Sequence, residues 1–383
     1  MWPIAYRHPA TREVTEFANA HVERIEFYQY LQWQVDRQIS EASRHTSDRK
    51  LRIGLCEDLA VGVDPAGAEA WSNQEMFALG IGTGAPPDPF NASGQDWGLP
   101  PLVPHRLYET GYGLFSELLR RNMRHAGALR IDHILGLMRQ FWVPAGRPPS
   151  EGAYIRFPFM DLLGVLTLES QRNHCMVIGE DLGTVPDGLR EALMAREILS
   201  TRLLYFEWND DGTPRRPADY PDAAAVAIST HDLPPLRGYW EGRDIAIRDE
   251  LSLYPNDESR QSDRDARAKD RSALLRALSE EGLLPDSIDP DSSDVPEMDA
   301  ELASAFHAFL SRTPSVICLA QLTDLLGEIE PVNFPGVGEE FPNWRRKLPL
   351  SLEEIRVDEM VRALASRISS ERPRLDPPTD TPP

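Results

Sequence analysis

Residues 125–133 read HAGALRIDH. A helix-like segment over 112–126 runs into the short apolar run ALRI (128–131), which ends on Asp132 and His133. A run apolar on both faces fits a strand buried inside a helix-covered sheet. The same pattern recurs at LRIGL (51–55), MVI (176–178), LLYF (203–206), AAVAI (224–228) and SVICL (315–319). Helix-like stretches over 161–173 and 187–195, and several between 233 and 312, separate most of these runs. Strands alternating with helices predict an α/β fold built from parallel β/α units, either a barrel or a doubly wound sheet. Six strands are legible, whereas a closed (β/α)8 barrel needs eight. The chain opens on a helix, so a barrel reading makes the first two β/α units the absent ones.

That opening helix is expected over 11–43. Thr11 is its cap, and Val14, Phe17, Ala18, Val22, Ile25, Tyr28, Leu31, Val35 and Ile39 follow at helical spacing. Two stretches read as irregular: the Gly/Pro-rich loop GIGTGAPPDP (80–89) and the acidic surface loop PDSIDPDSSDVP (285–296). The expected organisation is a catalytic α/β region over 1–350, with a helical region at 241–312. A C-terminal helix and a polar, proline-rich tail follow over 351–383.

Composition narrows the function. Forty basic residues against sixty-one acidic ones leave a formal charge of −21, which disfavours nucleic acid and anionic membranes as partners and suits a neutral substrate. Cys56, Cys175 and Cys318 are widely spaced and sit in or beside apolar runs, without zinc or disulfide spacing; a reducing cytoplasm is expected. No apolar stretch is long enough to span a bilayer, and MWPIAYRHPA lacks the pattern of a signal peptide.

In a β/α barrel the chemistry gathers where the strands end. The second run ends in Arg130-Ile131-Asp132-His133, the third in Gly179-Glu180-Asp181 and the fifth in Ser229-Thr230-His231-Asp232, while the first leads into Glu57-Asp58. Strand-end acids also serve as helix caps, but four of six strands delivering carboxylates to one rim is harder to explain that way. Grouped carboxylates without metal spacing suit glycoside chemistry, in which one acid attacks the anomeric carbon and another protonates the leaving oxygen. An arginine two residues before the attacking aspartate favours its ionised form. Trp97, on a loop among Gly, Gln and Asp, suits sugar stacking, whereas Trp142 reads as a core aromatic. The glycines at 80–84 precede prolines and not a helix, so they do not form a dinucleotide loop.

The motifs ALRIDHILGL (128–137), VIGEDLGTVP (177–186) and STHDLPPLRGYW (229–240) resemble the signature stretches of the amylomaltase, or 4-α-glucanotransferase, family in its bacterial long-chain form. GLCEDLAVGV (54–63), GAPPD (84–88), GQDWGLPP (94–101), NFPG (333–336) and PNWRRKL (342–348) extend the likeness over nearly the whole chain. The resemblance implies a barrel of the α-amylase kind and a retaining transfer of α-1,4-glucan segments between maltodextrins, with glucose as a further acceptor and no metal or organic cofactor. It implies that Asp132 is the nucleophile, Glu180 the general acid/base and Asp232 the transition-state stabiliser. Arg130, His133, His231, Asp58, Asp88, Gln95, Trp97 and Asn333 match residues that hold the nucleophile or the glucan. Family members carry two more barrel strands before this point, so the chain alone is expected to be inactive or impaired, with a complementing N-terminal chain as a partner. Two other readings keep the same residues: a non-catalytic remnant that binds maltodextrin or another chain, and an α-glucan hydrolase that uses water as acceptor.

Overall fold

The structure, a computed structural model, describes residues 3–87, 93–292 and 294–373. The chain forms two compact units, the first ending at Ser200 and the second starting at Thr201.

The first unit opens with two helices where one was expected over 11–43. Thr11 caps Arg12–Ala20 by accepting the Val14 N–H at 3.3 Å; the chain breaks at His21, and a second helix, Val22–Asp48, continues past the expected end. No residue of either helix is buried. The strands that follow are β1 (Cys56–Leu59), β2 (Ile81–Ala85), β3 (Gln95–Leu99), β4 (Ala128–Ile131), β5 (Arg139–Pro144), β6 (Ala153–Arg156), β7 (Met176–Gly179) and β8 (Leu199–Leu203). β1, β4 and β7 are parallel neighbours in that order, with Leu59 opposite Ile131 and Ile131 opposite Gly179. The first residues of β8, Leu199 and Ser200, pair with Ile178 and Gly179 of β7.

β4 and β7 lie where their apolar runs predict. β1 does not: the run 51–55 is lead-in, and the strand begins at Cys56. Gly54 takes a left-handed φ of 80° there, and a Cβ on Gly127 would stand 1.5 Å from the Ile53 carbonyl oxygen. The first backbone hydrogen bonds come at Leu55, whose carbonyl accepts from Gly127 and Ala128, and the ladder starts one residue later. Glu57 and Asp58 therefore lie within the strand and not beyond it. Helices Gly113–Met123 and Phe159–Asn173 cover these strands, bringing Phe115, Leu119, Leu163 and Leu166 against Leu129 and Val177 in one core. Each such side chain contributes about 1.5–3 kcal/mol by burial.

A second, antiparallel sheet in the order β3–β2–β5–β6 replaces the expected loop with strand over 81–85, while 88 and 89 of the expected 80–89 lie outside the described residues. Gly84 explains the disguise: a Cβ there would come 1.9 Å from the Gln95 carbonyl oxygen, so the strand carries glycine where another chain approaches closely. Trp142 on β5 packs against the first unit's core.

The unit boundary falls inside β8. This strand occupies 199–203 and not the expected 203–206, because Leu199, Thr201 and Leu203 alternate inward while Phe206 turns back to bond the Leu203 carbonyl at 2.9 Å. In the second unit the order continues to β9 (Ala224–Ala227) and β10 (Ile317–Cys318), which pair in parallel. Helices Leu236–Glu241, Asp257–Glu280 and Ala300–Ser311 build a separate core around Trp240, Phe306 and Phe309. The C-terminal helix is Glu359–Glu371, and most of the expected tail lies outside the described residues. Among the described residues no helix is long and apolar enough to cross a membrane.

Candidate active site

β4 and β7 each end one residue before a carboxylate. Because Ile131 faces Gly179 in a parallel ladder, Asp132 and Glu180 follow at matching positions on neighbouring strands. The backbone stitches them in place: Asp132 N–H donates to the Leu59 carbonyl at 3.0 Å, Glu180 N–H to Ile131 at 3.0 Å, and Ile134 N–H to Glu180 at 3.0 Å. His133, between them, adopts a left-handed φ of 47°.

The two carboxyls have different surroundings. Arg130 Nη2 stands 3.0 Å from Asp132 Oδ1, while Nη1 donates to both oxygens of Asp58 at 2.7 and 2.9 Å. Burial opposes the Arg130 charge, but the carboxylates of Asp132, Asp58 and Glu180 outweigh it and raise its pKa. Glu180 is governed by desolvation, which pushes its carboxyl up to about 7; Asp132 adds to the rise, while Arg130 and the N–H groups of Leu182 and His133 oppose it. Those N–H groups donate to Oε1 and Oε2, each at 2.9 Å. Burial lowers the His133 pKa despite the nearby Asp132 carboxylate, which favours a neutral ring at pH 7. One carboxylate tied to a cation beside another that desolvation helps to keep its proton towards neutral pH is the division of roles that acid-and-nucleophile chemistry requires.

Trp97 meets the His133 ring edge-on at 5.3 Å between centroids, and its Nε1 donates to Gln95 Oε1 at 3.0 Å. Both residues sit on β3 and not on the expected loop. Asp88 lies outside the described residues.

Asp232 belongs to the second unit, in the turn after β9. Asn333 Nδ2 donates to its Oδ1 at 2.7 Å, and His231 Nε2 lies 3.4 Å from Oδ2. The His231 ring stands 5.3 Å from that of Trp344. Trp344 was not singled out from the sequence, although it lies in PNWRRKL; its left-handed φ of 61°, a conformation that costs a bulky residue energy, is visible only in three dimensions. Asp324, buried against the start of helix Leu236–Glu241, is likewise not marked by the sequence. Among the described residues no cluster of three or more His, Cys, Asp and Glu side chains could hold a metal ion.

Parallel strands with acids at their ends define the class, an α/β protein of TIM-like fold. Residues 1–352 match glycoside hydrolase family 77, described as 4-alpha-glucanotransferase, and the chain belongs to that family. The 4-alpha-glucanotransferase of Mycobacterium tuberculosis H37Rv is 40% identical over 377 residues, 96% of this chain and 51% of the relative. That of Haemophilus influenzae is 35% identical over 371 residues, 97% of this chain and 53% of the relative. The crystal structure of amylomaltase from Corynebacterium glutamicum matches with a TM-score of 0.83 and 37% identity, covering 90% of this chain and 50% of that one. Amylomaltase from Streptococcus agalactiae, solved in complex with acarbose, shares the fold with a TM-score of 0.72 at 18% identity, covering 96% of this chain and 66% of that one. The chain thus spans about half the length of the curated relatives it matches.

Proposed function

We propose that this chain carries the catalytic acids of a 4-α-glucanotransferase that moves α-1,4-glucan segments between maltodextrins by retaining double displacement. The observation that carries this reading is the contrast between the two strand-end acids. Asp132 is paired with Arg130, and the Glu180 carboxyl is pushed up to about 7. In the first step an Asp132 oxygen bonds to the anomeric carbon as the glycosidic bond breaks, and the Glu180 proton goes to the departing 4-oxygen. In the second, the 4-hydroxyl of another glucan or of glucose gives its proton to Glu180 and attacks the same carbon, releasing Asp132. Asp232, held by Asn333, stabilises the positive charge of the oxocarbenium-like transition state. Arg130 and Asp58 orient the nucleophile, and His133, His231, Asp88, Gln95, Trp97 and Asn333 bind sugar. The chemistry calls on no metal or organic cofactor.

The same reading makes residues 1–350 an incomplete (β/α)8 barrel, with 351–383 as an appendage. Its first two β/α units come from a complementing N-terminal polypeptide. Exposed aromatic side chains on helix Val22–Asp48 support such a partner: Phe27, Tyr30 and Trp33 are 54%, 52% and 56% exposed. The free cysteines support a cytoplasmic setting.

The test incubates the purified chain with maltotriose, alone and mixed with the part of the M. tuberculosis relative that it does not match. Glucose and oligomers longer than three units are expected from the mixture, and neither from Asp132→Asn. Glucose without longer oligomers would make the protein a hydrolase. No product under either condition would leave a non-catalytic remnant, the reading that the uncovered helix also fits.

A further inference from the structure

We infer that Asp324 is a positioning residue for Asp232, acting through the backbone of the loop that carries it. Helix Leu236–Glu241 begins four residues after Asp232 and has Pro235 at its N-cap position, with no side-chain cap of its own. Asp324, 88 residues further along the chain, supplies one: its Oδ1 accepts the Leu236 N–H at 2.7 Å. The Asp324 side chain is buried, at 4% exposure, and Oδ2 has no hydrogen-bond partner. Burial pushes this carboxyl up to about 6, against the pull of the Leu236 N–H. A carboxylate kept in such surroundings is costly unless the contact it makes matters.

Between Asp232 and Leu236 lie Leu233, Pro234 and Pro235. Two prolines fix φ at successive residues, so this link is stiff, and fixing the Leu236 N–H restrains Asp232 at its other end. The Pro234 carbonyl is itself held by Tyr205 OH at 3.3 Å. The segment that carries Asp324 touches the loop twice more: Gln321 donates to Ser229 before Asp232, and Asn333 donates to Asp232 itself. A Cβ on Gly238 would come 2.0 Å from the Ile329 carbonyl oxygen, so the helix also lies against this segment without room for a side chain. Residues 321–333 therefore form a clamp with contacts before, on and after Asp232. Asp324 is its only buried carboxylate among the described residues.

The catalytic consequence rests on the role proposed for Asp232, whereas the clamp does not, so the test reads the loop directly. Hydrogen exchange of peptides covering 229–240 is measured in the full chain for wild type, Asp324→Ala, Asp324→Asn and Gln321→Ala. Asp324→Ala removes the acceptor and is expected to speed exchange there about tenfold or more, the scale of a lost hydrogen bond to a charged group. Peptides of β4 and β7 should stay at wild-type rates. Asp324→Asn keeps an acceptor oxygen and should stay within about threefold of wild type; Gln321→Ala should fall between the two. Wild-type exchange in Asp324→Ala would overturn the proposal, as would Asp324→Asn behaving like Asp324→Ala. So would a uniform rise across the chain or failure to fold, since each makes Asp324 a general structural residue. If the loop responds as expected but no variant or wild type transfers glucan with the partner polypeptide present, the clamp stands and the catalytic reading falls.

Discussion

Glu180 is held by the residue that follows Asp132: its Oε2 accepts the backbone N–H of His133 at 2.9 Å. The position of the proposed acid/base and the backbone conformation at the proposed nucleophile are thereby one feature. The residue at this point is left-handed, with a φ of 47°, and it is a histidine and not a glycine. That conformation costs a non-glycine residue roughly 1–2 kcal/mol, which the surrounding ladder must offset.

The Glu180 carboxyl is raised from about 4.5 to about 7, chiefly by desolvation. A raised folded-state pKa means that the native state binds the proton more tightly than the unfolded chain. The resulting stability is fully present below about 4.5 and is lost as pH rises through about 7. Glu180→Gln should flatten this dependence and gain on the order of 1–2 kcal/mol over wild type at pH 8, after discounting for the residue's partial exposure. Urea unfolding at pH 5 and pH 8 checks it. In the complemented enzyme, kcat/KM on maltotriose should fall as pH rises through about 7, where the acid loses its proton. An activated glucosyl donor with a good leaving group should not show that alkaline limb in the first step.

Arg130 spans two carboxylates with one planar fork, Nη1 on Asp58 and Nη2 on Asp132. Lysine keeps the charge but cannot make both contacts with fixed geometry. Arg130→Lys is expected to lower kcat of the complemented enzyme about 10–100-fold with a smaller effect on KM, since misplacing a reacting group by about 1 Å costs on that order. Asp58→Asn, which leaves the Asp132 contact in place, should lose less. Single-turnover kinetics separate this from a loss of substrate binding.

Asn333 gives Asp232 its shortest hydrogen bond, at 2.7 Å. Asn333→Ala should destabilise the fold by about 1 kcal/mol and cut activity. Asn333→Asp should do worse above pH 5, because it sets two carboxylates face to face, and should recover partly as the pair takes up a proton on acidification. Thermal unfolding and maltotriose turnover across pH 4–7 test the contrast.

The elements that could be read from sequence were those with a two-sided apolar run. β4 and β7 are covered by helices and bury most of their side chains, so their ends, and with them Asp132 and Glu180, could be located directly. β1 is an edge strand reading CEDL, half of it acidic, and the more apolar residues before it never enter the ladder. β2 carries Gly84 where the backbone of β3 comes close and Gly82 against the Asp96 side chain, so IGTGA looked like a loop. Asp324 left no local trace, because its partner lies 88 residues away and one aspartate in a leucine-rich stretch has no spacing to betray it.

The isolated chain is expected to be a poor enzyme and a poorly behaved protein. Helix Val22–Asp48 carries Phe27, Tyr28, Tyr30, Leu31, Trp33 and Val35 on more than one face, all exposed. Large apolar side chains grouped on an exposed helix face gain when another surface covers them. Each large apolar side chain left in water forgoes about 1.5–3 kcal/mol. With about half of each in water, the six forgo on the order of 5 kcal/mol, near the lower end of a domain's whole stability of roughly 5–15 kcal/mol. β1 is guarded, since a four-residue edge bearing Glu57 and Asp58 resists pairing with other chains, so self-association should run through the helix. Replacing Phe27 and Trp33 together by Glu should make the chain monodisperse by analytical ultracentrifugation and also abolish rescue by the part of the M. tuberculosis relative that this chain does not match. Wild type should show the reverse, aggregating alone and gaining glucanotransferase activity when that part is supplied. A monodisperse wild-type chain that disproportionates maltotriose unaided at about 1 s⁻¹ or faster, within the usual range of enzymes, would refute the dependence on a partner while leaving the roles of Asp132 and Glu180 untouched.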